Sequence, residues 1–386
     1  MYQNKKIQIF FLVFTIVLYH LYKPHYLSFF EDWSSQDFQW QPSKCVFEGI
    51  NHYLSYLNED KLCPQFKSQN GDYAQGLYII LYPFTLLEWN VAKISWSFLN
   101  LCLVILIPFL LCKKFSLKKI DTLLIIFFIL YSKVTPDNLS KGQQGIFILF
   151  FLMLPFVFKG NFFKILSGIS YFKYNIGYAL FLLYLVKKQY KNIIYSSIPI
   201  FAGILLYCFF TSTNLFTNIF QPLDLMLKRT TVLDNIFLFS FIGDFLFLDR
   251  STEMLITLLF SLIFNLFFIF KISKINDNLL RLSCLSLIIL ISTPHHGHDF
   301  ILMVPLFVYS VKYYNLDSLL SKLNILVSIY FLHFYFVIPL IFKKLQILIV
   351  LSGYFESLIL LTVLILNLID YHFNKKNPQK FLSEGF

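Results

Sequence analysis

Long apolar runs separated by short polar turns dominate the chain. A run of about 20 apolar residues crosses a bilayer as a helix, and fewer suffice where the bilayer is thin. On this pattern the runs 7–22, 94–112, 121–133, 145–158, 161–172, 175–186, 192–211, 252–270, 280–293, 301–312, 322–342 and 345–369 predict twelve membrane-spanning helices. Lys5 and Lys6 hold the N-terminus inside, and the basic turns around 113–120, 159–164, 187–191, 271–281 and 312–322 then fall on that side. Lys343-Lys344 falls outside and is an exception. Segments 161–172 and 175–186 are short for a span. Either they cross a thinned region or they end in a cavity. The polar breaks Asn138 to Gln144, Lys173 and His295 to Asp299 are then expected deep on the outer side.

Two long stretches interrupt this rhythm. Residues 23–93 form the first outer loop, and 212–250 the second, with an amphipathic segment suited to a membrane surface. Within the first, 77–90 is apolar but contains Pro83 and ends in Glu88-Trp89-Asn90. The run 94–112 leads inward to Lys113-Lys114, so 77–90 cannot also cross. It is predicted to be a re-entrant or interfacial helix, which needs protein or water around it. The polar tail 371–386 is expected to be loose and cytoplasmic. The basic start and apolar core of the first run also suit a signal peptide, but no small-residue cleavage site follows. An uncleaved helix is the expectation, and residues 1–386 read as a single integral membrane domain.

Composition sharpens the class. The chain is 57% hydrophobic and 14% charged, against roughly 25% charged in soluble domains. With a mean hydropathy of +0.66, it reads as an all-α polytopic membrane protein. The net charge of +11 lies in short clusters between apolar runs, which suits membrane turns and not nucleic acid. Cys102, Cys112, Cys208 and Cys284 lie in apolar runs as small core residues. Cys45 and Cys63 share the first polar loop and can pair on an oxidising face. No CxxC or Cys/His metal spacing is present.

A few polar residues could carry chemistry. Asp37, in the first loop, can act as a general base on a hydroxyl within hydrogen-bond reach, or be a solvated loop residue or helix cap. Asp32 competes on the same grounds. Lys173 is expensive at membrane depth and can bind a lipid phosphate, or snorkel to the interface. His295, His296 and His298, with Asp299, offer metal-ligand types. Three histidines on one tight turn converge poorly, so hydrogen bonding to a sugar or phosphate, or a plain polar turn, are the other readings. Lys141-Gly142-Gln143-Gln144 provides a tight turn with glutamines suited to hydroxyls. Trp33, Phe38, Trp40, Tyr53 and Tyr73 suit either sugar stacking or an interfacial belt. No Ser-His-Asp order or phosphate-cradling glycine loop supports a soluble-type hydrolase or nucleotidase.

The residues also occur in a suggestive order: Asp37-Phe38, Gly49, Asn51-His52-Tyr53, Tyr73-Ala74-Gln75-Gly76 through Tyr82-Pro83, Gly142-Gln143, Gly168 with Lys173, and Thr293-Pro294-His295-His296. Over roughly 30–310 this order resembles glycosyltransferase family 87, polytopic GT-C-type enzymes that include polyprenyl-phosphate-mannose-dependent mannosyltransferases. The family often shows Asn-Pro-Tyr where this chain has Asn51-His52-Tyr53, and a second Pro where it has Pro83 alone.

The resemblance implies a GT-C-type bundle in a membrane such as the bacterial plasma membrane, with its active site facing outside. It implies transfer of a mannose-like hexose or a pentose from a polyprenyl-phosphate donor to a lipid or glycan hydroxyl, with inversion. Asp37 would be the base. Lys173, His295, His296 and His298 would hold the departing phosphate, with Gln143 and Tyr82 at the substrate. No nucleotide, nucleic-acid partner or essential metal is expected. A polytopic transporter or lipid flippase is the alternative, since broken helices and buried charge serve transport too.

Overall fold

The computed structural model describes Val13, Ile16 and residues 34–60, 62–64, 69, 71, 73–228, 250–293, 296–314, 318–337, 339, 341 and 349–376. Every regular element among them is helical. Three helices, Trp89–Lys114, Tyr190–Thr211 and Tyr354–Phe373, are long and apolar enough to cross a membrane. A fourth span arises if Val134–Lys141 and Gly145–Val157, bent by 114°, count as one. Shorter apolar helices accompany them at Tyr174–Val186, Leu258–Ser273, Asn278–Ser292 and Leu319–Phe334. The chain divides into two compact units, 1–181 with 189–234, and 182–188 with 235–386.

The first unit begins with four short helices, α1 (Trp40–Phe47), α2 (His52–Asn58), α3 (Gln75–Ile80) and α4 (Tyr82–Thr85). The segment 77–90 is therefore not one helix. Pro83 has no N–H to donate and sits in the first turn of α4, which suits a helix start and not a helix interior. The long α5 (Trp89–Lys114) ends on Lys113 and Lys114, cations that suit the negative end of a helix. Next come α6 (Lys119–Leu130), α7 (Val134–Lys141), α8 (Gly145–Val157), α9 (Asn161–Ser167) and a 3-10 turn, Gly168–Phe172. Helices α10 (Tyr174–Val186), α11 (Tyr190–Thr211) and α12 (Leu215–Lys228) follow. The predicted 161–172 helix is thus a seven-residue α-helix followed by a 3-10 turn.

The α3–α11 packing is close because Gly76 and Gly203 face each other. A Cβ on Gly203 would collide with the Gly76 backbone, and one on Gly76 with the Phe172 ring. A Cys45–Cys63 disulfide, with Cα atoms 5.8 Å apart, ties α1 to the segment after α2.

In the second unit, α13 (Arg250–Ser273), α14 (Asn278–Ser292), a 3-10 turn Gly297–Met303, α15 (Val304–Lys312), α16 (Leu319–Ile329) and α17 (Ile349–Lys376) follow in order. Helix α14 is mostly apolar and buried along its length except at Asn278 and Arg281, as a helix packed on several sides is. Asn324 and Asn367 exchange two side-chain hydrogen bonds of 2.9 Å, fixing α16 against α17. The predicted 322–342 helix instead passes into a π-turn at 330–334 and breaks at Tyr335. The tail from 371 is helical as far as Lys376, because α17 runs on past its apolar stretch. The first predicted span lies outside the described residues, apart from Val13 and Ile16, as do 229–249 of the second loop and 377–386 of the tail.

Candidate functional site

In the first unit the Asp37 loop lies against the bend between α7 and α8. Ser35 N donates to Ser140 O (2.5 Å) and Asp37 N to Lys141 O (2.9 Å). Gln144 Nε2 donates back to Asp37 O (2.8 Å). Gly142 makes the bend with a left-handed backbone, φ 68°, and a Cβ there would sit 3.0 Å from Phe38 Cβ and from the Ser35 backbone. Phe38 is fully buried and stacks on Trp96 with centroids 5.1 Å apart. Trp96 Nε1 in turn donates to Gly142 O (3.0 Å). Ring stacking below and backbone bonds at the side thus hold the loop to the bend.

This arrangement orients the Asp37 carboxylate. Oδ1 accepts from Gln39 Nε2 (2.9 Å) and Oδ2 from the Tyr73 hydroxyl (2.9 Å). Gln39 is pinned in turn, since its Oε1 accepts from Gly71 N (3.0 Å). Ser35 (φ 60°) and Gln39 (φ 65°) both adopt left-handed backbone, which non-glycine residues seldom do. Such strain clusters where surrounding structure over-determines a functional geometry. Asp32 lies outside the described residues.

Lys173 is buried at the end of the 3-10 turn, and its carbonyl accepts from Ile176 N and Gly177 N (both 2.9 Å) as α10 begins. Ala74 N donates to Phe172 O (3.0 Å). The backbone at Lys173 is therefore one residue from a bond to the segment carrying Tyr73, which holds Asp37. Gln143 is buried at the bend itself. Tyr82 is half-exposed, and its ring meets Phe47 at 4.2 Å. Lys93 is a buried ammonium beside the loop and donates to Ser34 Oγ (3.0 Å).

Four of the five loop aromatics differ from expectation, and the fifth, Trp33, lies outside the described residues. Phe38, Trp40, Tyr53 and Tyr73 are all buried. Phe38 and Trp40 pack with Trp89, and Tyr53 with Tyr78 and Tyr207, so these buried rings offer neither a sugar-stacking face nor an interfacial belt. Asn51-His52-Tyr53 is likewise internal. Asn51 Oδ1 caps α2 by accepting from Leu54 N (3.1 Å). His52 Nε2 lies 3.2 Å from Gly71 O and Nδ1 3.0 Å from the Tyr207 hydroxyl. Complete burial pushes the His52 pKa down to about 3, so the ring is neutral. Nε2–H then donates to Gly71 O, and Nδ1 accepts from Tyr207. Burial raises the Tyr53 hydroxyl's pKa well above its ordinary value.

In the second unit, His298 is buried and His296 exposed, with ring centroids 5.3 Å apart. Asp299 Oδ2 lies 3.8 Å from His298 Nε2 and accepts from His296 N (3.2 Å). The Tyr335 ring covers Gly297 so closely that no side chain fits there. His295 lies outside the described residues. Among the described residues, no group of three or more His, Cys, Asp or Glu could hold a metal ion. An open apolar groove lined by Phe267, Phe268, Lys271, Leu368, Ile369 and Phe373 contains none of the candidate residues.

Sequence reading missed Ser35, Gln39 and Lys93 as parts of this site, and gave Tyr73 another role. Tyr73 is 36 positions from Asp37, and no local spacing joins them. Left-handed backbone at Ser35 and Gln39 has no compositional mark either. The chain matches no family model, no curated protein and no solved structure.

Proposed function

We propose that the protein is a membrane glycosyltransferase of inverting type. It moves a hexose or pentose, mannose-like by resemblance, from a polyprenyl phosphate to a hydroxyl of a lipid or glycan on the non-cytoplasmic face. The full bundle in this proposal is GT-C-like, with about twelve spans. The observation that carries the reading is the Asp37 carboxylate, fixed by Gln39 and Tyr73 on a strained loop. A base must be aimed before it can take a proton, and these two donors aim it. The hydroxyl proton passes to Asp37 as the acceptor oxygen attacks the anomeric carbon. The carbon–oxygen bond to the lipid phosphate breaks, and the phosphate departs with the bonding pair. Lys173, in the same unit as Asp37, is the group proposed to meet that charge.

The test is consumption of a lipid-linked sugar in proteoliposomes. Asp37→Asn is expected to lower turnover by about 10²-fold or more. Unchanged transfer would remove the proposed base. The 114° break between α7 and α8 also suits a transporter. Dissipation of a substrate gradient without any glycosidic product would favour that class.

A further inference from the structure

We infer that the junction of the Asp37 loop with the α7–α8 bend is a binding site for adjacent neutral hydroxyl groups, formed by Ser35, Gln143 and Gln144. Among the described residues three buried oxygens meet no partner: the Ser35 hydroxyl, which can donate and accept, and the acceptors Gln143 Oε1 and Gln144 Oε1. Ser35 and Gln144 are fully buried and Gln143 nearly so. They belong to one junction, since Ser35 N binds Ser140 O, Gly142 packs on Ser35, and Gln144 binds the Asp37 carbonyl. Buried side-chain acceptors are nearly always satisfied, so several unmet in one place point to a ligand that brings donors.

The neighbours restrict its charge. The Asp37 carboxylate and the two glutamine oxygens oppose an anion. The buried Lys93 ammonium, on Ser34 next to Ser35, opposes a cation. Flipping the Gln144 amide would give up its Nε2 bond to Asp37 O, so its oxygen stays turned away from that carbonyl. What remains is a neutral donor with several hydroxyls, a polyol or sugar ring. Naming this ring as the acceptor substrate rests on the proposed transfer reaction; the binding site itself does not.

The test uses the full chain in nanodiscs, with melting temperature and Trp fluorescence as readouts and methyl mannoside as the probe. Wild type and Asp37→Asn are expected to respond saturably, while cyclohexanol, choline and inorganic phosphate leave both readouts unchanged. Ser35→Ala and Gln143→Met each remove an unmet acceptor, so the unliganded protein should melt no lower than wild type. Both should nevertheless weaken the mannoside response about tenfold. The inference is overturned if either variant binds the polyol as wild type does, if either melts lower without ligand, or if choline or phosphate gives the response instead. Polyol binding without any transfer would sink the proposed reaction alone. Transfer that depends on Asp37 but ignores Ser35 and Gln143 would sink this site alone.

Discussion

Asp37 holds two donors, and each acts on a different oxygen. Tyr73→Phe removes one while keeping the ring and its burial. Under the proposed reaction, turnover should fall about tenfold while KM changes little, because a hydrogen bond to a charged group contributes about 1.5–3 kcal/mol. Steady-state kinetics on the lipid-linked sugar would check the split; a change confined to KM would place Tyr73 in binding. His52 allows a prediction on stability. Its folded pKa is about 3 against an ordinary 6.5. The unfolded chain therefore binds the proton first as pH falls, and the group's contribution, complete above pH 6.5, declines from there toward pH 3. The decline reaches about 5 kcal/mol over the whole window, at 1.36 kcal/mol per unit. His52→Gln should flatten the melting-temperature profile between pH 7 and 4 relative to wild type. Parallel profiles would show that the ring does not carry the effect.

At the scale of elements, apolar periodicity located most helices to within a few residues. The predicted runs 94–112, 252–270 and 280–293 became α5, α13 and α14. Such runs are visible because the apolar stretch and the helix are the same object. Breaks were harder to see. The 77–90 segment, the 3-10 turn before Lys173 and the π-turn at 330–334 follow from Pro83 and from tertiary packing that no single run encodes. The turn at Gly142 was legible, since only a residue without a Cβ fits there, but what it packs on was not. Close helix approach gives a further test. Gly203→Ala would drive a Cβ into the Gly76 backbone. It should destabilise the chain by about 1–3 kcal/mol, as overpacking does. Gly160→Ala, at an open turn with φ 118°, strains only its own backbone. The Gly203 variant should therefore melt lower than the Gly160 variant, and equal melting temperatures would deny the α3–α11 contact its importance.

For the molecule as a whole, apolar side chains on the outside are the dominant fact. Over α11 only 17% of the apolar window is buried, and Phe201, Phe209, Leu205 and Ile194 stand exposed. Patches of this extent mark contact with lipid or another protein. The coarse class was readable from composition alone, because charge depletion reports the solvent directly. The number of crossings was not, since many apolar helices are shorter than a standard span and length alone does not assign them. In the candidate site, Asp37, Gln143 and the Gly142 turn were legible as residue types, while their partners came from contacts between segments far apart in sequence.

The Cys45–Cys63 bridge sets a sequence of events in time. Disulfides persist in oxidising compartments and are rare where thiols are kept reduced. The bridge staples α1 to the segment that follows α2, within the same lobe as Asp37. In the proposed orientation, with this loop on the non-cytoplasmic face, the staple closes only once the loop has crossed the membrane, so this part of the chain should mature late. Maleimide counting on denatured samples of freshly synthesised chains should show six reactive thiols falling to four. A count fixed at six throughout would deny the bridge.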